Sequence, residues 1–257
     1  MALKDELRGR QELLKNGTFK EKIAYFFDYY KLHTFLISFV LICVGSLIYK
    51  NITKKDIILN GILLNVVSGN SADVIEDMHD DFLEYIEVDT KEYDVFFNSS
   101  LFYNIGDDSN ETQLSDFESL QAIMVQCAAG DIDFISSPLS AILDSGYSEL
   151  FINLEELLTE EELALYKPYL LYIDGAVLEK KNEALDNDQN PAEILCPDPS
   201  KPEEMEEPIP VFIDVTKCEE MADIYSAYGS KTLVLGCIAN APNPERLTDF
   251  LAFLFDK

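Results

Sequence analysis

Two histidines, five cysteines and a large excess of carboxylates are the groups in this 257-residue chain whose types could do chemistry. His79 is set among Asp77, Asp80 and Asp81 on a stretch with helical spacing. Neighbouring positions on a helix point in different directions, so this run reads as a solvated face rather than a metal site. His33 falls at the edge of an apolar run, where a polar ring is ordinary at an interface. Asp186, Asp188 and Asn190 match positions 1, 3 and 5 of an EF-hand loop, but Pro191 stands where the loop must turn on glycine and Pro197 where it needs glutamate, so the match fails. The chain has no G-x-S-x-G elbow, H-E-x-x-H pair, Walker loop or G-x-G-x-x-G turn. The expectation is therefore no catalytic residue, no metal site and no cofactor, with the ligand-binding residues unknown and the protein not an enzyme.

The cysteines do not make a disulfide scaffold. Cys43 lies in the apolar run, and Cys127 and Cys237 sit in apolar patterns where a buried thiol is the default. Cys196 and Cys218 flank a loop and could pair in an oxidising compartment, a connectivity that sequence alone does not assign. Charge is distributed unevenly: of 19 basic and 48 acidic side chains, residues 1–50 hold 8 and 5, leaving 11 and 43 beyond, a net −32 for 51–257. Such a field repels nucleic acid and anionic headgroups and favours cations or basic partners, although a solvated acidic surface is the plainer explanation.

These groups must be positioned by the elements around them. Leu32 to Tyr49 is an uninterrupted apolar run of 18 residues between Lys31 and Lys50. As a helix it rises about 27 Å, close to a bilayer core of about 30 Å. A cleaved signal peptide and a lipoprotein signal at Cys43 both fit poorly, since about 30 residues precede the run, no A-x-A pattern follows it and the bulky Ile42 precedes the cysteine. The run is expected to be a retained single-pass transmembrane helix over 32–49, following a cytoplasmic tail over 1–31 and leading to an extracytoplasmic acidic domain over 50–257. Lysines close to the run tie in number, and Lys4, Arg8, Arg10 and Lys15 tip the N-terminus to the cytoplasmic side.

Beyond the run, strands alternate with amphipathic helices. Ile57 to Val67 reads as a buried strand; Ser71 is expected to cap a helix with Ile75, Met78, Phe82, Tyr85 and Ile86 on its apolar face. Tyr93 to Phe97 reads as a second strand. A helix with a Ser115/Glu118 capping box and the stripe Phe117, Leu120, Met124, Cys127 and Ala128 should stop at Gly130. A strand over Ile132 to Ile135, a helical segment near Leu139 to Leu143 and a capping box at Thr159 and Glu162 follow. Between 175 and 210 six prolines and an acidic run mark a loop or linker. Val211 to Val215 and Thr232 to Ala239 read as strands, and Asn243 and Pro244 open a final helix that buries Leu247, Phe250, Leu251 and Leu254. The order of elements predicts an α/β fold with a mixed sheet and helices on both faces.

Two stretches carry a family resemblance. SLQAIMVQCAAGDIDFISSPLSAILDSGYSELFINLEELL, Ser119 to Leu158, resembles the part of extracellular solute-binding proteins where a helix meets a Gly-Asp-x-Asp turn, a strand and a further helix; VLGCIANAPNPERLTDFLAFLF, Val234 to Phe255, is similar to their terminal strand and Asn-Pro-Glu helix start. The resemblance implies a type 2 periplasmic-binding-protein-like domain with a reduced second lobe, the proline-rich stretch standing where much of that lobe would be. It carries over no ligand residue. The expected function is a membrane-anchored, non-enzymatic extracytoplasmic binding or sensing module, transporter-associated or partnered by another membrane protein. Its alternatives are a cell-envelope interaction or assembly protein without a small-molecule ligand, and a carboxylate-based hydrolase.

Overall fold

A computed structural model describes residues 18–67, 69, 71–103 and 114–256, with side chains at 21, 24–34, 50–52 and 114–117 outside the description. The chain divides into two compact units, Met1–Lys54 and Lys55–Lys257. The first contains one helix, α1 (Phe19–Ile52). Among the described residues no helix is long and apolar enough to cross a membrane, which corrects the transmembrane span expected over 32–49 together with the single-pass and membrane localisation built on it.

The second unit is built on one six-stranded sheet ordered β2-β1-β3-β6-β5-β4. Its strands are β1 (Asp56–Leu63), β2 (Tyr93–Asn98), β3 (Phe134–Pro138), β4 (Leu170–Asp174), β5 (Pro208–Asp214) and β6 (Leu233–Cys237). The β2-β1-β3 part is parallel; β6 then runs antiparallel between β3 and β5, and β4 antiparallel beside β5. The helices are α2 (Ser71–Tyr85), α3 (Leu114–Ala129), α4 (Leu139–Gly146), α5 (Leu154–Leu157), α6 (Glu160–Tyr166), α7 (Gly175–Asp186), α8 (Glu219–Ile224) and α9 (Pro244–Phe255).

Alternation along the strands sends side chains to two cores, so the sheet is covered on both faces, as the sequence order predicts. On one face Leu59, Leu63, Phe134, Ile213 and Leu235 pack under Met78 and Phe82 of α2 and Leu247, Phe250 and Leu251 of α9. On the other Ile62, Leu64, Ile135, Phe212 and Val234 meet Ile123 and Cys127 of α3, Ile142 of α4 and the partly buried Val177 and Leu178 of α7. Phe134 stacks on Phe250 at 5.0 Å between centroids. Opposite that ring β1 carries Gly61, where a Cβ would stand 2.2 Å from Phe134 Cζ, so a glycine is required by close approach.

Several boundaries differ from the sequence expectation. β1 ends at Leu63, because Asn65 takes φ +66 and turns the chain. Ser71 is the first residue of α2, and its hydroxyl donates to Ile224 O at 2.8 Å instead of capping its own helix. α3 begins at Leu114, which puts Ser115 inside the helix, with its side chain outside the description; Met124 is exposed, while Ile123 supplies the buried contact. Gly130 ends that region at φ +70 as expected. The strand expected at 132–135 lies at Phe134–Pro138, so the serines belong to it. The capping box at Thr159 and Glu162 forms in full. The 175–210 loop opens with twelve residues of helix, α7, and only then becomes a strap of turns. β4 has no counterpart among the expected strands, since its run of five residues abuts helical sequence on both sides.

Candidate functional site

β1 and β3 are parallel neighbours. The helices that follow them go to opposite faces: α2 packs through Met78 and Phe82 into one core, α4 through Ile142 into the other. That divergence makes a topological switch point at the carboxyl ends of the two strands, the place where open α/β sheets hold ligands.

The crest there is built from hydrogen bonds. Asn65, bent into the left-handed region, donates from Nδ2 to Tyr103 O at 2.8 Å and accepts the Tyr103 N–H on Oδ1 at 2.6 Å. The Tyr228 hydroxyl donates to Asn65 O at 2.8 Å and the Tyr225 hydroxyl to Ser136 O at 2.8 Å, so one tyrosine pins the end of each strand. Complete burial drives the Tyr225 phenol far above its ordinary value and keeps it a donor. Ser136 Oγ donates to Val234 O at 3.0 Å on β6. Ser137, the next residue, is completely buried on the α3/α4 side, and its hydroxyl has no hydrogen-bond partner among the described residues. A buried hydroxyl without a partner costs about 1–3 kcal/mol, so its presence at this crest asks for a use.

Elsewhere the described side chains form supports. Asp133, fully buried, accepts the N–H of Asn60 in β1 at 2.7 Å and that of Asn243 at 2.8 Å, tying the sheet to the start of α9; burial outweighs these bonds and raises its carboxyl. At Asp174 burial acts upwards too, but the N–H groups of Glu206, Glu207 and Ala176 outweigh it and hold the carboxyl below its ordinary value. Lys181, 6% exposed, bonds Asp144 at 3.1 Å and lies 5.1 Å from the Tyr147 ring centroid. Burial works to lower its ammonium, and Asp144 more than compensates.

The groups singled out in the sequence are not brought together. Cys196 and Cys218 are both free. Cys218 belongs to the α2/α9 core, whereas Cys196 packs against the other core and points its thiol at Asp144 across 3.9 Å. Burial pushes that thiol up despite the nearby Lys181. His79 faces Asp94 through Nε2 at 2.7 Å and Asp80 through Nδ1 at 2.8 Å, so it bridges α2 to the start of β2 instead of standing on a solvated face; His33 lies outside the described side chains. Asp186 ends α7, Asp188 turns the chain at φ +56 and Asn190 caps the next turn by accepting the Ala192 N–H at 3.1 Å. Among the described residues no group of histidine, cysteine, aspartate or glutamate could hold a metal ion. Asn65, Ser137 and the two tyrosines are the residues that sequence reasoning missed; the Asn65-Val-Val run after β1 and the serine pair before Pro138 were the available signals.

Family models, curated proteins and solved structures contain nothing that matches this chain.

Proposed function

We propose that residues 55–257 form a non-enzymatic binding or sensing module that takes a small polar ligand at the β1/β3 crest. The unpartnered, wholly buried Ser137 hydroxyl at the switch point carries this reading. The non-enzymatic part of the reading rests on the expectation that the chain carries none of the catalytic motifs sought in its sequence. The finer architecture proposed is a single lobe similar to those of solute-binding proteins. In its support, β6 delivers the chain through Asn243, Pro244 and Glu245 into α9, the order the resemblance implies.

The test is thermal unfolding of the full chain against free amino acids, neutral sugars and inorganic phosphate. A ligand at one hundred times its Kd stabilises by about 2.7 kcal/mol, which in a unit of this size is a rise of about 5–10 °C. If no compound of any of the three classes raises the transition, the reading is wrong.

A further inference from the structure

A second surface, away from the crest, has a different chemistry. Asp81, Glu84 and Tyr85 near the end of α2 and Phe253 and Asp256 at the end of α9 line an open recess of about 360 Å³. Two aromatic rings and three carboxylates make up this lining, and none of the five residues is basic.

The aromatic part is held in place. Tyr85 is 43% exposed. Its ring meets the buried Phe253 ring edge to face, with centroids 5.6 Å apart, and its hydroxyl donates to Asp256 Oδ2 at 3.1 Å. Burial, with Asp256 and Asp249 adding to it, raises the Tyr85 phenol, so the ring stays neutral and electron-rich. A solvated acidic face needs no such exposed, anchored ring. An aromatic face with carboxylates beside it suits a cation, and a planar guanidinium best, since it stacks on the ring and pairs with a carboxylate at once. A second recess of about 400 Å³ adjoins along α2, shares Glu84 and adds Asp80 and Glu87.

We infer that this α2/α9 surface docks a basic, arginine-bearing segment of a partner protein. Charge complementarity identifies the occupant: the surrounding 51–257 region carries a net −32, which steers a basic segment in, and Tyr85 selects arginine over lysine on arrival. No residue of the crest is used, so the inference stands apart from the ligand proposed there.

The probe is a fluorescein-labelled tri-arginine peptide titrated into the full chain and followed by fluorescence anisotropy, with tri-lysine as comparison. Glu84→Gln and Tyr85→Leu should each weaken tri-arginine binding about three- to fivefold, and Tyr85→Leu should also abolish the preference over tri-lysine. Tyr85→Phe keeps the ring and should bind within about twofold of the parent, which separates loss of the ring's face from a packing defect. Glu203→Gln removes the same charge from the distant strap and should change binding less than about twofold. An equal loss from Glu203→Gln and Glu84→Gln, or no preference between the two peptides, would mean that the overall field alone attracts cations and would overturn the proposal. Absence of tri-arginine binding at low salt would overturn it too.

Discussion

Replacing Asp174 by alanine should loosen the strap 187–207 and lower the stability of the six-stranded unit. The Asp174 carboxylate is 6% exposed and accepts three backbone N–H groups: Ala176 at 3.0 Å, Glu207 at 3.0 Å and Glu206 at 3.1 Å. It therefore caps α7 and fastens the end of the strap with one side chain. At about 1 kcal/mol net per bond, alanine costs about 3 kcal/mol, of which the cap is about 1. For a unit of this size that is a fall of about 6–12 °C in Tm. An asparagine side chain at this position keeps one acceptor oxygen and caps nearly as well, so Asp174→Asn should lose about 1 kcal/mol. The folded carboxyl lies below its ordinary value. Its ionic contribution is then fully present above the unfolded value of about 3.9 and disappears as pH falls through the folded value, so the gap between parent and Asp174→Ala should narrow towards about pH 3. Urea unfolding of the full chain at about pH 7 and about pH 3 measures the gap, and hydrogen exchange of the Glu206 and Glu207 amides reports the strap. A gap below about 0.5 kcal/mol at neutral pH, or one unchanged in acid, would refute the reasoning.

Gly61→Ala should cost at least about 2 kcal/mol in the same unfolding assay, because the Phe134 ring it would strike is held between Phe97 and Phe250 and cannot swing away; a neutral outcome would show that the core is looser than its contacts. Asp144→Ala should destabilise by about 1–2 kcal/mol by stranding the buried Lys181 ammonium, while Lys181→Met should stay within about 1 kcal/mol of the parent. Equal losses from the two would point to packing instead of charge. Ser137→Ala should raise the stability of the ligand-free chain by about 1 kcal/mol and abolish any ligand-induced shift. A ligand shift that survives in Ser137→Ala would remove this hydroxyl from the site and with it the observation that places the ligand at the crest.

Periodicity made the strands and helices with one apolar face legible. α9 shows this best: Leu247, Phe250, Leu251 and Leu254 are all within 1% of full burial, on the spacing that predicts it. The local chemistry of the Thr159 and Glu162 capping box was equally plain, since both of its bonds lie within one turn. Elements that depend on distant partners were not. Ser71 looks like a cap until its hydroxyl meets Ile224, 153 positions away. β4 becomes a strand only because β5 lies beside it and the strap covers its edge, where the Tyr172 N–H donates to Pro199 O at 2.9 Å. The apolar run within α1 was plain as a pattern, but among the described residues no helix is long and apolar enough to cross a membrane. Ser137 was unreadable for the same reason as Ser71: a hydroxyl in a strand is ordinary, and only the tertiary structure reveals that no described residue bonds to it.

A single sheet sets limits on how this unit can hold a ligand. Two-lobed binders enclose a ligand by hinge closure and bury most of its surface between opposed walls. Here the six strands of the described residues belong to one sheet, and residues 175–207 form α7 and a strap fastened to the β4 edge. If the proposed ligand binds at the β1/β3 crest, the described residues offer it one wall, so its affinity would come from few, well-placed bonds, and the Ser137 hydroxyl, unpaired among the described residues, is the kind of group that could supply one. α2 begins with Ser71, whose hydroxyl is bonded to Ile224 next to Tyr225, and ends in the acidic recess with Tyr85, a length of about 22 Å. One helix thus runs between the two proposed surfaces, which would give a physical route by which occupancy of either is felt at the other.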